Sequence, residues 1–162
     1  MVVSSRSAMG LESILSIEAI AVHAHATCKR EVMSLIAERT AAIAKVDQDS
    51  ALRALMEREK LGTTAVGRGV CIPHGKVEGL SKITGVLATL SDPIEFDAPD
   101  GEPIDIVFGL MAPTDATAAH LKALAKVSRM MRDEQKREAL RLADSVEAMF
   151  AIASQAEHSD AA

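Results

Sequence analysis

The sequence predicts an α/β protein, a single layered domain in which a mixed β-sheet is flanked by helices. Three observations lead there. Apolar residues recur at helical spacing in the first and last thirds of the chain, whereas the β-branched runs "TTAVGRGVCIP", "ITGVLATL" and "PIDIVFGLMAP" cluster in the middle. The length, 162 residues at 48% hydrophobic content, closes one core and argues against two. Residues 1–10 read as a loose lead-in, 11–155 as the domain and 156–162 as a flexible tail.

Taken in order, a short helical turn is expected around Leu11–Leu15, then a strand in "AIAVHAHATC", whose alternation includes Ile20 and Val22. Val32, Leu35, Ile36, Ala42 and Ile43 mark one face of a helix with Thr27 as its N-cap, although Arg39 interrupts that face. A second helix from about Asp49 buries Leu52, Leu55 and Met56, and Gly62 ends it. The three apolar runs supply the sheet. Thr114 or Asp115 opens a helix carrying Leu121, Leu124, Val127 and Met131, and a short helix covers about Glu134–Leu142. Asp144 with Glu147 three residues on resembles a capping arrangement for a last helix through Phe150 and Ile152.

Composition excludes several functions. A net charge of −5 leaves no basic footprint for nucleic acid or an anionic membrane, and three Phe with no Trp or Tyr leave no stacking platform for single strands. Cys28 and Cys71 are too few and too isolated for a disulfide framework. The N-terminus lacks the apolar region of a secretory signal, and no stretch approaches the ~18 apolar residues of a membrane helix. These features predict a cytoplasmic protein without direct membrane insertion, whose partners are proteins or small molecules.

The segment "GRGVCIPHGKVEG" carries the chemistry. Pro73 stiffens the end of an apolar run and Gly75 adds no side chain, so His74 is expected on a rigid, uncrowded edge. Neutral imidazole is a competent nucleophile near neutral pH, and a hydrogen bond to one ring nitrogen selects the tautomer. That arrangement suits in-line attack on phosphorus, which needs cationic or hydrogen-bonding groups converging on one spot. The candidates are Arg58, Thr63, Thr64, Arg68, Lys76 and His120, the last near the anion-favouring start of a helix.

The stretch "REKLGTTAVGRGVCIPHGK" resembles the active-site signature of type IIA proteins of the bacterial phosphotransferase system, in the mannitol/fructose/nitrogen-regulatory class. Glu59, Val66, Gly67, Val70, Ile72, Pro73, His74 and Gly75 fall on its pattern. The similarity continues through "GVLATLSDPIEFDAPDGEPIDIVFGLMAP" and "HLKALAKVSRMMRD", where the family's second histidine falls on His120. The one departure is Cys71, where the family usually has Ala.

The resemblance implies a mannitol-type IIA fold in which His74 takes a phosphoryl group, on Nε2, from an HPr-like (NPr) phosphocarrier. Arg58 and His120 then stabilise the transferring group, with Thr63, Thr64, Pro73 and Gly75 in support. It implies a phosphocarrier with a phosphohistidine intermediate rather than an independent turnover enzyme; with no metal site or nucleotide cradle in the sequence, no cofactor or metal is expected. A free-standing chain favours the nitrogen-regulatory branch, whose phosphorylation state is read by targets such as sensor kinases or potassium-transport components. The alternatives are a sugar-specific IIA component that passes phosphate to a IIB domain, and a binding module that is never phosphorylated.

Three competing motifs weaken on inspection. His23, His25 and Cys28 of "HAHATC" invite a zinc site, but alternation puts the two histidines on one strand face, and no fourth ligand or finger spacing is present. A P-loop fails because five residues separate Gly69 from Gly75 where four are required, and Val77 replaces the magnesium-binding hydroxyl. "GRGVCI" lacks the third glycine of a dinucleotide fingerprint. Arg68 and Lys76 are otherwise solvent-facing charges that help dock an acidic partner, and Met130–Met131 a core or contact pair.

Overall fold

The structure, a computed structural model, describes residues 11–155; the predicted lead-in and tail lie outside the described residues. Among the described residues, six strands form one mixed sheet, β1 (Ile20–Ala24), β2 (Ala65–Gly67), β3 (Val70–Cys71), β4 (His74–Lys76), β5 (Thr84–Ile94) and β6 (Ile104–Ala112). Five α-helices flank it: α1 (Lys29–Ala44), α2 (Gln48–Lys60), α3 (Thr117–Met131), α4 (Glu134–Leu142) and α5 (Val146–Ser154). The layered α/β architecture is the one the sequence predicts.

The sheet order is β1-β5-β6-β3-β2, and β4 also pairs with β6. β5 runs antiparallel to β6, while β3 and β4 both run parallel to it, β3 opposite Ile106 and Val107, β4 opposite Leu110 to Ala112. β5 and β6 read as near-continuous apolar runs because both of their faces are covered, and every β6 residue except Asp105 is buried.

Local chemistry explains the helix ends, and it shifts three of the predicted ones. The N-cap of α1 is Cys28, one residue beyond Thr27; Glu31 reaches back to accept from the Thr27 amide (2.7 Å) and hydroxyl (3.0 Å). α3 opens at Thr117 with Ala116 as N-cap instead of Thr114 or Asp115, because Pro113–Ala116 is occupied by a turn in which the Ala116 amide donates to the Pro113 carbonyl. At α5 the cap is Ser145, whose hydroxyl oxygen accepts from the Ala148 amide at 3.1 Å, and Asp144 precedes it. α2 follows its expected bounds closely, with Asp47 capping the Ser50 amide at 2.9 Å.

Arg39 breaks the apolar stripe of α1 for a reason. Its guanidinium donates to the carbonyls of Glu18 (3.1 Å) and Ile20 (2.9 Å), tying α1 to the 3-10 turn Ile17–Ala19 and the start of β1. The expected shared face for His23 and His25 is not found. His23 sits at φ 51° where the β1–β5 register shifts, and β1 ends at Ala24, so the alternation breaks before His25.

Helix α1 lies directly over β6. A Cβ built on Gly109 would stand 2.6 to 2.8 Å from three carbons of Ile36, closer than real Cβ atoms approach. Gly109→Ala is therefore expected to lower stability by ~1–3 kcal/mol in urea unfolding. The loss should be markedly smaller when Ile36→Ala is also present, a coupling that additive, independent effects would not produce.

Candidate functional site

Pro73 and its neighbours fix where His74 stands. Pro73 has no amide to donate, so the strand pairing along β6 is interrupted there, and its carbonyl instead accepts from the Leu110 amide at 2.9 Å. The chain resumes pairing as β4, with His74 opposite Leu110. His74 was expected at the end of an apolar run; it in fact begins a short parallel strand that the sequence reading did not resolve. The uncrowded edge is also corrected: His74 is half-buried, and Gly75 is covered by α2, with a Cβ there only 3.2 Å from Ala54 Cβ. The missing side chain accommodates the protein's own helix.

The Nδ1 of His74 lies 2.8 Å from the Ile72 carbonyl oxygen. A carbonyl only accepts, so Nδ1 carries the proton and Nε2 keeps its lone pair. Burial pushes the His74 pKa below the usual imidazole value, and the Arg58 charge pushes the same way; the Ile72 bond and Glu59 oppose them. The result is an imidazole held neutral and in one tautomer.

His120 projects from the first turn of α3 and is 7% exposed. Its ring centroid is 5.6 Å from that of His74, with the planes at 75°. Its Nε2 is buried without a hydrogen-bond partner, an arrangement that costs ~1–3 kcal/mol in an ordinary core. Burial first, then the proximity of His74 and Lys76, lowers its pKa. The two neutral imidazoles thus form an edge-on pair with an unused ring nitrogen between sheet and helix.

Arg58 follows Ala54 by four residues, one turn along the α2 face that covers Gly75. Its guanidinium donates to the Gly62 carbonyl at 2.8 Å, and its charge is felt at His74. Thr63 and Thr64 are engaged elsewhere. The Thr63 hydroxyl donates to the Phe96 carbonyl at 2.8 Å, and the Thr64 hydroxyl to Glu59 Oε1 at 2.6 Å.

Arg68 lies in the turn between β2 and β3, where its amide donates to Asp100 at 2.9 Å and its carbonyl accepts from Arg141 at 2.7 Å. Lys76 is half-buried, and its ammonium donates to the exposed Thr117 hydroxyl at 2.8 Å. Cys71 is fully buried, and burial drives its thiol pKa up, so it is inert chemically.

One group escaped the sequence reading as anything but a motif position. Glu59 is 8% exposed, pairs with Lys29 at 2.9 Å, and accepts from both the amide and hydroxyl of Thr64. Its only other signal was an acidic residue in helical register with Ala51 and Leu55, the two buried apolar positions of α2. Among the described residues, no group of three or more His, Cys, Asp or Glu is placed to hold a metal ion. None of the described helices is long and apolar enough to cross a membrane.

Comparison with known proteins gives a consistent result. Residues 13–156 match the family model described as "Phosphoenolpyruvate-dependent sugar phosphotransferase system, EIIA 2". A nitrogen regulatory protein of Bradyrhizobium diazoefficiens is 40% identical over 144 residues, covering 89% of this chain and 94% of the relative. The crystal structure of the nitrogen regulatory protein IIA-Ntr from Neisseria meningitidis superposes with a TM-score of 0.84 at 31% identity, over 89% of this chain and 99% of that one. The crystal structure of IIA mannitol from Escherichia coli shares the fold, at TM-score 0.74 and 22% identity, over 86% and 98% of the two chains.

Both histidines should titrate below the ordinary imidazole value of ~6.5 when their ring protons are followed by NMR; a midpoint at or above it for either would remove the desolvated pair. The sign for stability follows. With folded pKa values depressed, the unfolded chain binds protons first, so stability is full above the unfolded pKa and falls as pH drops through ~6.5. His120→Gln should flatten that acid-side slope.

Proposed function

Because the chain belongs to the phosphoenolpyruvate-dependent sugar phosphotransferase system EIIA 2 family, we propose that it is a nitrogen-regulatory IIA protein whose His74 accepts a phosphoryl group from an HPr-like phosphocarrier. The observation that carries this reading is the Nδ1 contact with Ile72, which leaves Nε2 as the available nucleophile in a ring 5.6 Å from that of His120.

In the transfer, the Nε2 lone pair forms a bond to phosphorus as the N–P bond of the donor's phosphohistidine breaks, its electron pair returning to the donor ring. The Nδ1 proton stays on His74, and the Ile72 carbonyl offsets the positive character that the ring acquires. Arg58 and His120 flank the acceptor and stabilise the charge on the moving phosphoryl oxygens. Little covalent work falls to the protein, whose part is positioning and electrostatics.

The attached group brings about two negative charges to a half-buried surface site, enough to change which proteins dock there. Regulatory targets, sensor kinases or potassium-transport components among them, are the readers in this proposal, acting in the cytoplasm. Coverage rather than identity supports this over a sugar-specific role: the nitrogen regulatory relative is 40% identical across 89% of this chain, whereas a fructose-specific EIIA component at 41% identity matches 61% of it.

Incubation with phosphoenolpyruvate, an Enzyme I-like protein and an HPr-like protein should add one acid-labile phosphoryl group to wild type, read by intact mass, and none to His74→Ala. His120→Ala should fold normally and transfer more slowly by roughly a hundredfold. Wild type left uncharged by a demonstrably phosphorylated donor would make this a binding module. Onward passage to a IIB domain and then to sugar would make it a transport component.

A further inference from the structure

We propose that the Lys76–Thr117 hydrogen bond is a positioning contact for phosphoryl transfer, holding the first turn of α3 against β4 so that His120 stays on His74; this rests on His74 being the acceptor. Residues i and i+2 of a strand share a face, so His74 and Lys76 project together from β4. Residues i and i+3 of a helix are likewise neighbours, so Thr117 and His120 project together from α3. The two elements therefore meet through two parallel cross-pairs, His74 with His120 and Lys76 with Thr117.

Ahead of Ala123 and Leu124, which pack partly buried against the core, the first turn of α3 has little else to hold it. Thr117, Ala118 and Ala119 are exposed, Leu121 is 62% exposed, and after His120 the next buried residue of the helix is Val127. Ala116 at the N-cap offers no side-chain bond to the free amides of the first turn. A helix end in that condition frays unless it is tied down elsewhere. His120 alone is a poor tie, because its buried Nε2 makes no bond.

Lys76 suits the task. β4 pairs with β6 through Lys76 itself, opposite Ala112, and the Val77 amide continues the pairing to the Ala112 carbonyl at 3.0 Å. The ammonium is thus carried on a fixed backbone, and it reaches Thr117 at 2.8 Å. One exposed hydrogen bond contributes little to global stability, whereas a shift of about 1 Å in a group that meets the transferring phosphoryl costs up to a hundredfold in rate. The contact therefore acts on transfer far more than on folding. Its charge also helps keep His120 neutral alongside His74.

Thr117→Val removes the hydroxyl and leaves the Lys76 charge available to any docking partner; Thr117→Ser keeps the hydroxyl. Single-turnover transfer from the phosphorylated HPr-like donor should slow by about tenfold in Thr117→Val at saturating donor. The half-saturating donor concentration and the thermal midpoint should be unchanged, and Thr117→Ser should stay within about twofold of wild type. In the unphosphorylated protein, nuclear Overhauser contacts between the His74 and His120 rings should weaken in Thr117→Val and persist in Thr117→Ser. Wild-type transfer by Thr117→Val overturns the proposal, as does an effect confined to the half-saturating concentration, which would make Lys76 a docking charge. A wild-type protein that takes no phosphoryl group from a charged donor overturns the acceptor assignment, and the role of the tie falls with it.

Discussion

Strand β6 is the constraint around which the site is assembled. It is paired along both edges, by β5 on one side and by β3 and then β4 on the other. Pro73 sits where the second edge changes hands. Because it lacks an amide, the ladder must break, yet its carbonyl still receives Leu110, so the chain never leaves the edge of β6. His74 is thereby registered opposite Leu110, near the C-terminal end of β6. That same end leads through Pro113 into α3, which brings His120 back over the strand that carries His74. Two residues 46 positions apart in sequence meet because both are placed by the last three residues of one strand.

A buried polar cluster braces the approach to this strand. Glu59 holds Lys29 from the start of α1 and Thr64 from the start of β2, while Lys29 also reaches Asp97 at 3.1 Å and lies 5.0 Å above the Phe96 ring. Thr63 closes the ring of contacts through the Phe96 carbonyl. Buried ion pairs are weak evidence for net stability, because desolvation offsets most of the attraction. What this one does is fix geometry. The end of α2, with Arg58 beside Glu59, cannot drift from the loop that leads to Ile72 and His74, and the negative charge partly offsets the depression of the His74 pKa.

Much of this was legible in the sequence, for identifiable reasons. The α/β class, the two long buried strands and the α4 helix rest on periodicities that burial enforces, and they appear as predicted. His74 and His120 were paired through family resemblance, and the fold does bring their rings together. What stayed hidden depended on partners distant in the chain. Three residues of β4 carry no periodicity and become a strand only because β6 is present. Thr63 and Thr64 look like free hydroxyls until Phe96 and Glu59 are in place. Lys76 looks like a solvent charge and Arg39 like a mere break in an apolar face, because their acceptors, Thr117 and two backbone carbonyls, are set by tertiary contact. The helix caps slipped by one or two residues, at α5 to the neighbouring Ser145 and at α3 because a turn occupies Pro113–Ala116.

The bond from His74 to the Ile72 carbonyl also has an entropic side. It joins a side chain to its own backbone two residues away, on a segment already immobilised by Pro73 and by the pairing with Leu110. The rotational freedom of the imidazole is therefore given up during folding, not during the encounter with another protein. Any group carried on Nε2 inherits a fixed direction relative to the sheet. A partner would meet it as a stereochemically defined feature, distinguishable by shape as well as by charge, and would lose less conformational entropy in recognising it.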